Sequence, residues 1–168
     1  YYSVRDYCAV DPCLGTVEDF DAFVAEAHRL GMKVLLDWIA NHTARDARWV
    51  TEKPASWYER DASGAPAVPW DWTDTAKLNY AEREVWRAQG DAMEFWVREH
   101  GVDGFRCDMA MLVPIEFWNE TAQRLRRGKP DLFMLAEAEE TYLFDGGAFD
   151  ACYAWEMHHL MNDVAQQR

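Results

Sequence analysis

Three short apolar runs, each with an acidic residue at or near its end, set the limits on what this chain can fold into. They are Lys33-Val34-Leu35-Leu36-Asp37-Trp38-Ile39, Val102 to Asp108, and Leu132-Phe133-Met134-Leu135-Ala136-Glu137. Apolar runs this short and continuous are expected of strands buried on both faces. Helical patterns lie between them. Thr16 with Asp19 forms a capping-box variant, opening a helix whose apolar face is Phe20, Phe23, Val24, Ala27 and Leu30, stopped by Gly31. A second helix runs from Ala81 to His100, with Val85, Trp86, Met93, Trp96 and Val97 facing inward and Gly101 closing it. A third opens at Pro114, covers Ile115 to about Arg127, and ends at Gly128 and Pro130. Beyond Gly146-Gly147 a fourth strand is expected over Phe149 to Trp155, then a helix holding Leu160, Met161 and Val164. Helices alternating with buried strands indicate a parallel α/β sheet or barrel.

Length sharpens this. With 168 residues the chain suits one domain but falls short of a complete eight-unit barrel, which takes roughly 250. A formal net charge of −13 argues against a nucleic-acid partner, since such affinity rests on clustered Lys and Arg. The one basic cluster, Arg124, Arg126, Arg127 and Lys129, reads as a solvated helix end. No stretch is apolar enough for a membrane span. The chain opens Tyr1-Tyr2-Ser3 without an initiator Met, so no compartment is read from its start. The four cysteines form no C-x-x-C pair, and Cys107 reads as a buried, inert thiol. Residues 43–80 carry no sustained period and are punctuated by Pro54, Gly64, Pro66 and Pro69. Trp49, Trp57, Tyr58, Trp70 and Trp72 mark this stretch as an ordered, functional insert. Its tryptophans could form a small core or stacking platforms, and the sequence leaves both open.

Asp37, Asp108 and Glu137 terminate successive strands. In a parallel barrel those ends meet at one mouth, where catalytic residues gather. Any one of them could be a capping or salt-bridging group, but three in series point to a shared acidic site. Arg106 lies two residues before Asp108, so the strand period sends both side chains to the same side. A guanidinium there would hold the carboxylate ionised and oriented, as a carboxylate nucleophile requires. A structural ion pair fits the same spacing.

These residues also resemble a family. Val34-Leu35-Leu36-Asp37-Trp38-Ile39-Ala40-Asn41-His42 resembles the first signature of the α-amylase superfamily, an apolar strand followed by D-x-x-x-N-H. Gly104-Phe105-Arg106-Cys107-Asp108 resembles its second, G-F-R-x-D, and Leu135-Ala136-Glu137 its third. Asp74-Thr75-Ala76-Lys77-Leu78-Asn79-Tyr80 is similar to the D-L-N segment between the third strand and third helix. Tyr2-Ser3-Val4-Arg5-Asp6-Tyr7 resembles the stretch after strand two. Each motif alone is weak; the ordered set, covering nearly the whole chain, is specific.

The resemblance implies a fragment of a (β/α)8 TIM barrel, about strands 3 to 6 over residues 1–168, with residues 43–80 inserted between strand 3 and helix 3. It implies retaining hydrolysis of α-glucosidic bonds in starch-like glucans by the full-length parent, through a covalent glycosyl–enzyme intermediate. Asp108 would be the nucleophile and Glu137 the general acid and base, preferred over Glu139 and Glu140. A retaining pair needs its carboxyls roughly 5–5.5 Å apart, with Glu137 protonated while Arg106 keeps Asp108 charged. His42 would donate to a sugar hydroxyl, Tyr2 would stack on the sugar, and Asp37 would shape the substrate site. No cofactor is needed for this chemistry. In calcium-dependent relatives Asn41 would be a metal ligand, but the second signature here continues Met111-Leu112 where those relatives often carry Lys-His.

Within the same chemistry, a transglycosylase, α-glucosidase or isomerase is the alternative. Across classes, the rival is a non-catalytic amylase-like scaffold. The family's third carboxylate belongs to a fourth signature near strand seven, and His158-His159-Leu160 is not that motif. The 168 residues alone are therefore expected neither to hydrolyse glucan well nor to fold stably.

Overall fold

Residues 2–167 are described in a computed structural model. Helix α1 (Val17–Arg29) starts as its sequence dictates. The Asp19 N–H donates to the Thr16 hydroxyl and the Thr16 N–H to the Asp19 carboxylate, at 3.2 and 2.8 Å. Val24 and Ala27 are buried, whereas Phe23 and Leu30, expected on the same inward face, are mostly exposed. Phe23 meets the ring of Phe20, 6.4 Å away, at its margin.

Strand β1 (Leu35–Trp38) follows, shorter than the apolar run that announced it. The insert is less irregular than its sequence suggests. It contains β2 (His42–Ala44), helix α2 (Arg48–Glu52) and β3 (Thr75–Lys77), with β2 and β3 paired antiparallel. Then come α3 (Arg83–Glu99), β4 (Gly104–Cys107), α4 (Ile115–Gly128), β5 (Phe133–Ala136), β6 (Ala151–Cys152) and α5 (Trp155–Ala165). Beta-6 is two residues long, and α5 begins inside the stretch expected to be strand. Between β5 and β6 there is only a short 3-10 turn, Thr141–Phe144, so the helix–strand alternation breaks there.

The four strands β1, β4, β5 and β6 make one parallel sheet in that order. Asp37 lies beside Arg106, and Cys107 beside Ala136. This register brings the acidic strand ends to one edge of the sheet. Phe105 and Met134 are fully buried, together with Met93 of α3 and Phe117, Trp118 and Leu125 of α4. Gly104 starts β4 because nothing larger fits: a Cβ there would collide with the carbonyl of Phe133 on β5.

Of the basic cluster expected to be a solvated helix end, Arg127 is exposed, but the other three residues are tied to neighbouring elements. Arg124 pairs with Asp91 at 2.7 Å and with Glu94, tying α4 to α3. Arg126 reaches Asp150 at 2.7 Å, and Lys129 reaches Asp103 at 3.1 Å. These long side chains place their charge on neighbouring elements. No described helix is long and apolar enough to cross a membrane.

Candidate active site

The site is organised by one guanidinium. Strand pairing sets Asp37 beside Arg106, and the period of β4 turns Asp108 to the same side. Arg106 Nη1 donates to Asp37 Oδ1 and to Asp108 Oδ1, each at 2.8 Å. Its Nη2 lies 2.6 Å from Glu137 Oε1, and its Nε donates to the Tyr153 hydroxyl at 3.1 Å. The planar fork keeps the contacted oxygens of Asp108 and Glu137 within roughly 8 Å of each other. The rings of Tyr2 and Tyr153 lie 5.8 and 5.5 Å from the guanidinium carbon. Tyr2 also donates its hydroxyl to Asp37 Oδ2 at 3.0 Å.

Sharing one cation among three carboxylates has an electrostatic consequence. Arg106 was expected to keep Asp108 well ionised. Instead burial, which penalises the charged form, pushes Asp108 up to about 6. The hydrogen bond from Arg106 opposes that shift, and the charge of nearby Glu137 adds to it. Arg106 itself is held above its usual value: burial works against its charge, but Tyr153, Asp37 and Asp108 outweigh it.

The cavity beside this cluster has a volume of about 470 Å³. Tyr2, His42, Trp72, Arg106, Asp108 and Glu137 line it, and Asp74, Thr75 and Met109 complete the wall. Glu139 and Glu140 are not in that lining, and each carboxylate accepts a backbone N–H instead, from Glu156 and Glu139 respectively.

The family model for the catalytic domain of α-amylase matches residues 1–73 and 51–167. The chain belongs to the α-amylase family. Among curated relatives, α-amylase MalA of Haloarcula japonica is 34% identical over 158 residues, covering 89% of this chain and 23% of that protein. The α-1,4-glucan:maltose-1-phosphate maltosyltransferase of Arcanobacterium haemolyticum is 37% identical over 136 residues, covering 77% of this chain and 19% of the relative. The crystal structure of an α-amylase from Lactobacillus plantarum superposes with a TM-score of 0.89 at 34% identity, over 99% of this chain and 43% of that one. The chain thus spans about a quarter or less of these two curated relatives and is part of an α-amylase (β/α)8 barrel.

Against that family, His42 is buried and its two ring nitrogens are engaged. Nε2 donates to the Tyr2 carbonyl at 2.9 Å, and Nδ1 accepts from Asn41 Nδ2 at 3.2 Å, an assignment read from these partners. Burial lowers its pKa, against the opposing pull of the Tyr2 carbonyl and Asp74. The ring anchors Tyr2 at the cavity rim instead of presenting a free donor. Asn41 is buried with its amide on His42, and no group of three or more His, Cys, Asp or Glu among the described residues is arranged to hold a metal. The insert divides its aromatics. Trp57 and Tyr58 are buried with Ala76, Leu78 and Val85, and Trp49 packs on them. Trp72 faces the cavity, its ring 5.3 Å from His42 and 4.7 Å from the exposed ring of Trp70. Cys107 is buried, as expected, and its thiol is pushed up by that burial.

Sequence reasoning missed Tyr153 and Met109. Tyr153 joins only through the β6 register, which no local pattern announces. Met109 has φ 41° and ψ 50°, left-handed backbone that costs an L-residue about 1–2 kcal/mol, and methionine carries no signal for it.

Proposed function

We propose that the full-length protein of which this chain is part hydrolyses α-1,4-linked glucans with retention of anomeric configuration. The observation that carries the proposal is the Arg106 fork, which holds Asp108 and Glu137 side by side on the wall of one cavity. Asp108 attacks the anomeric carbon, forming a glycosyl ester, while Glu137 gives its proton to the departing glycosidic oxygen. Glu137, now a carboxylate, then takes a proton from water, which attacks the same carbon and releases Asp108. In the reacting complex Glu137 carries the proton and Asp108 remains on Arg106 as the carboxylate. Tyr2 and Trp72 offer aromatic faces for glucose rings, and Asp37 holds Tyr2 and Arg106 in place.

In the full-length protein Asp108→Asn should lower kcat on maltooligosaccharides by about 10⁴-fold or more, while oligosaccharide binding persists. Proton NMR of the first product released by the parent should show the α-anomer. Retained activity in the variant, or a β-anomer from the parent, removes Asp108 from the nucleophile role. The likeness to a maltosyltransferase supports transfer as a second reading, and longer products formed from added acceptor sugars would favour it.

A further inference from the structure

Residue 137 is gripped by the segment that follows β4. The Glu137 N–H donates to the Cys107 carbonyl at 3.0 Å, and the Ala110 N–H donates back to the Glu137 carbonyl at 3.3 Å. Between these, the Met109 N–H donates to the side chain itself, reaching Glu137 Oε2 at 2.9 Å. The chain must hook around Glu137 to make all three bonds, and the hook is the left-handed residue Met109. Only Trp70 and Gln167 share positive φ among the described non-glycine residues. Of the three, Met109 alone follows the nucleophile and bonds the acid. With extended backbone at 109 the chain beyond it would turn away, so the Met109 N–H could not stay on Oε2 while the Ala110 N–H reached the Glu137 carbonyl. Strain of this kind persists only where the surroundings impose it, and it concentrates at functional sites.

The two oxygens of Glu137 consequently differ. Oε2 accepts from the backbone, whereas Oε1 lies on Arg106 Nη2 at 2.6 Å, on the side of Asp108. A protonated carboxyl has one O–H donor and keeps its other oxygen as an acceptor. We infer that Met109 is a positioning residue: its backbone N–H keeps Oε2 as the accepting oxygen, so that Glu137 carries and delivers its proton from Oε1. The inference rests on Glu137 being the general acid. With the proton on Oε1, the contact to Arg106 opens and the O–H turns to the glycosidic oxygen. As the C–O bond breaks, the proton passes to that oxygen and its electron pair leaves with the sugar chain. Glu137 is then a carboxylate, with Arg106 on one oxygen and Met109 on the other, which is the arrangement seen here.

Two substrates of the full-length protein separate this role from a merely structural one. Maltotriosyl fluoride needs little protonation of its leaving group, whereas methyl maltotrioside needs it fully. Replacing the 108–109 peptide bond by an ester deletes this one N–H. It should lower kcat/KM on the methyl glycoside by about tenfold or more, with the fluoride within about twofold. Met109→Val, whose β-branch disfavours left-handed backbone, should show the same split. Equal losses on both substrates would mean that the hook acts through Asp108 or through the fold, and would overturn the inference. A measurement without turnover guards against variants that fail to fold. Amide exchange at Met109 should quicken by about tenfold or more in Glu137→Ala, and unchanged exchange would also overturn it. If the parent turns over neither substrate, the proposed activity has failed, while the exchange result still tests the contact.

Discussion

At the scale of residues, a single guanidinium at position 106 faces the carboxylates of Asp37, Asp108 and Glu137. Desolvation and the charge of Glu137 together raise Asp108 to about 6 against the pull of Arg106. A raised carboxyl is protonated below that value, so the nucleophile is lost as pH falls through it. The acid limb of kcat/KM for the full-length protein should therefore lie near pH 6, since kcat/KM reports the free enzyme. Glu137→Gln removes the neighbouring charge and keeps the shape. Measured on a glycosyl fluoride, which spares the missing acid, its acid limb should move to lower pH. A limb that stays or rises would show that Glu137 does not act on Asp108. The sequence makes half of this cluster readable. Arg106 and Asp108 are two apart on one strand, so their contact is local, and the strand ends of Asp37 and Glu137 announce themselves by apolar runs. Tyr153 and Met109 stay hidden because one arrives through strand register and the other acts through its backbone.

Among the elements, β4 links two chemistries at its two ends. Its C-terminal end bears the acidic cluster, and its N-terminal end bears a buried anion, Asp103, which helps hold the scaffold. Asp103 accepts from the Val34 N–H at 2.9 Å, from Lys33 at 3.0 Å and from Lys129 at 3.1 Å, with His28 at 2.7 Å. It joins α1, the start of β1 and the end of α4 to β4. In barrels this end serves stability and the opposite mouth serves chemistry. Burial alone would raise the Asp103 pKa, but those four partners overcome it and hold it well below the carboxylate range. A depressed folded value gives stabilisation that is complete above the unfolded value near 3.9 and is lost as pH falls below it. In the full-length protein Asp103→Asn should cost about 2 kcal/mol by denaturant titration at pH 7. That difference should shrink steadily below about pH 4. A cost independent of pH would mean that shape rather than charge matters at this position. The basic cluster in α4 shows why such ties escaped the sequence. Lys129 and Arg126 read as solvated because their partners, Asp103 and Asp150, are brought near only by the sheet.

For the whole molecule, the apolar face of α1 and the whole of α5 settle how the 168 residues behave by themselves. Phe23 and Leu30 stand more than half exposed on α1, as do Met157, Leu160, Met161 and Val164 on α5, which has no buried residue. Beta-1 and β6 form the two edges of a parallel sheet, an arrangement found almost only with both faces covered and a poor one to leave open. Periodicity read correctly that these helices have apolar stripes, yet it could not say what covers them, because a stripe has the same spacing whether packed or bare. Apolar surface of this extent marks a contact site or an aggregation liability. Expressed alone, the chain should therefore melt broadly, bind a hydrophobic dye such as ANS, and associate at micromolar concentration, while the full-length protein melts sharply without the dye. It should also leave glucan essentially uncut, because an unsettled sheet does not hold positions 106, 108 and 137 in register. A sharp two-state transition without dye binding would show that the core around Phe105, Phe117, Trp118 and Met134 carries the fold unaided. The exposed stripes would then be tolerated surface, and the strand-end cluster would be rigid without further support.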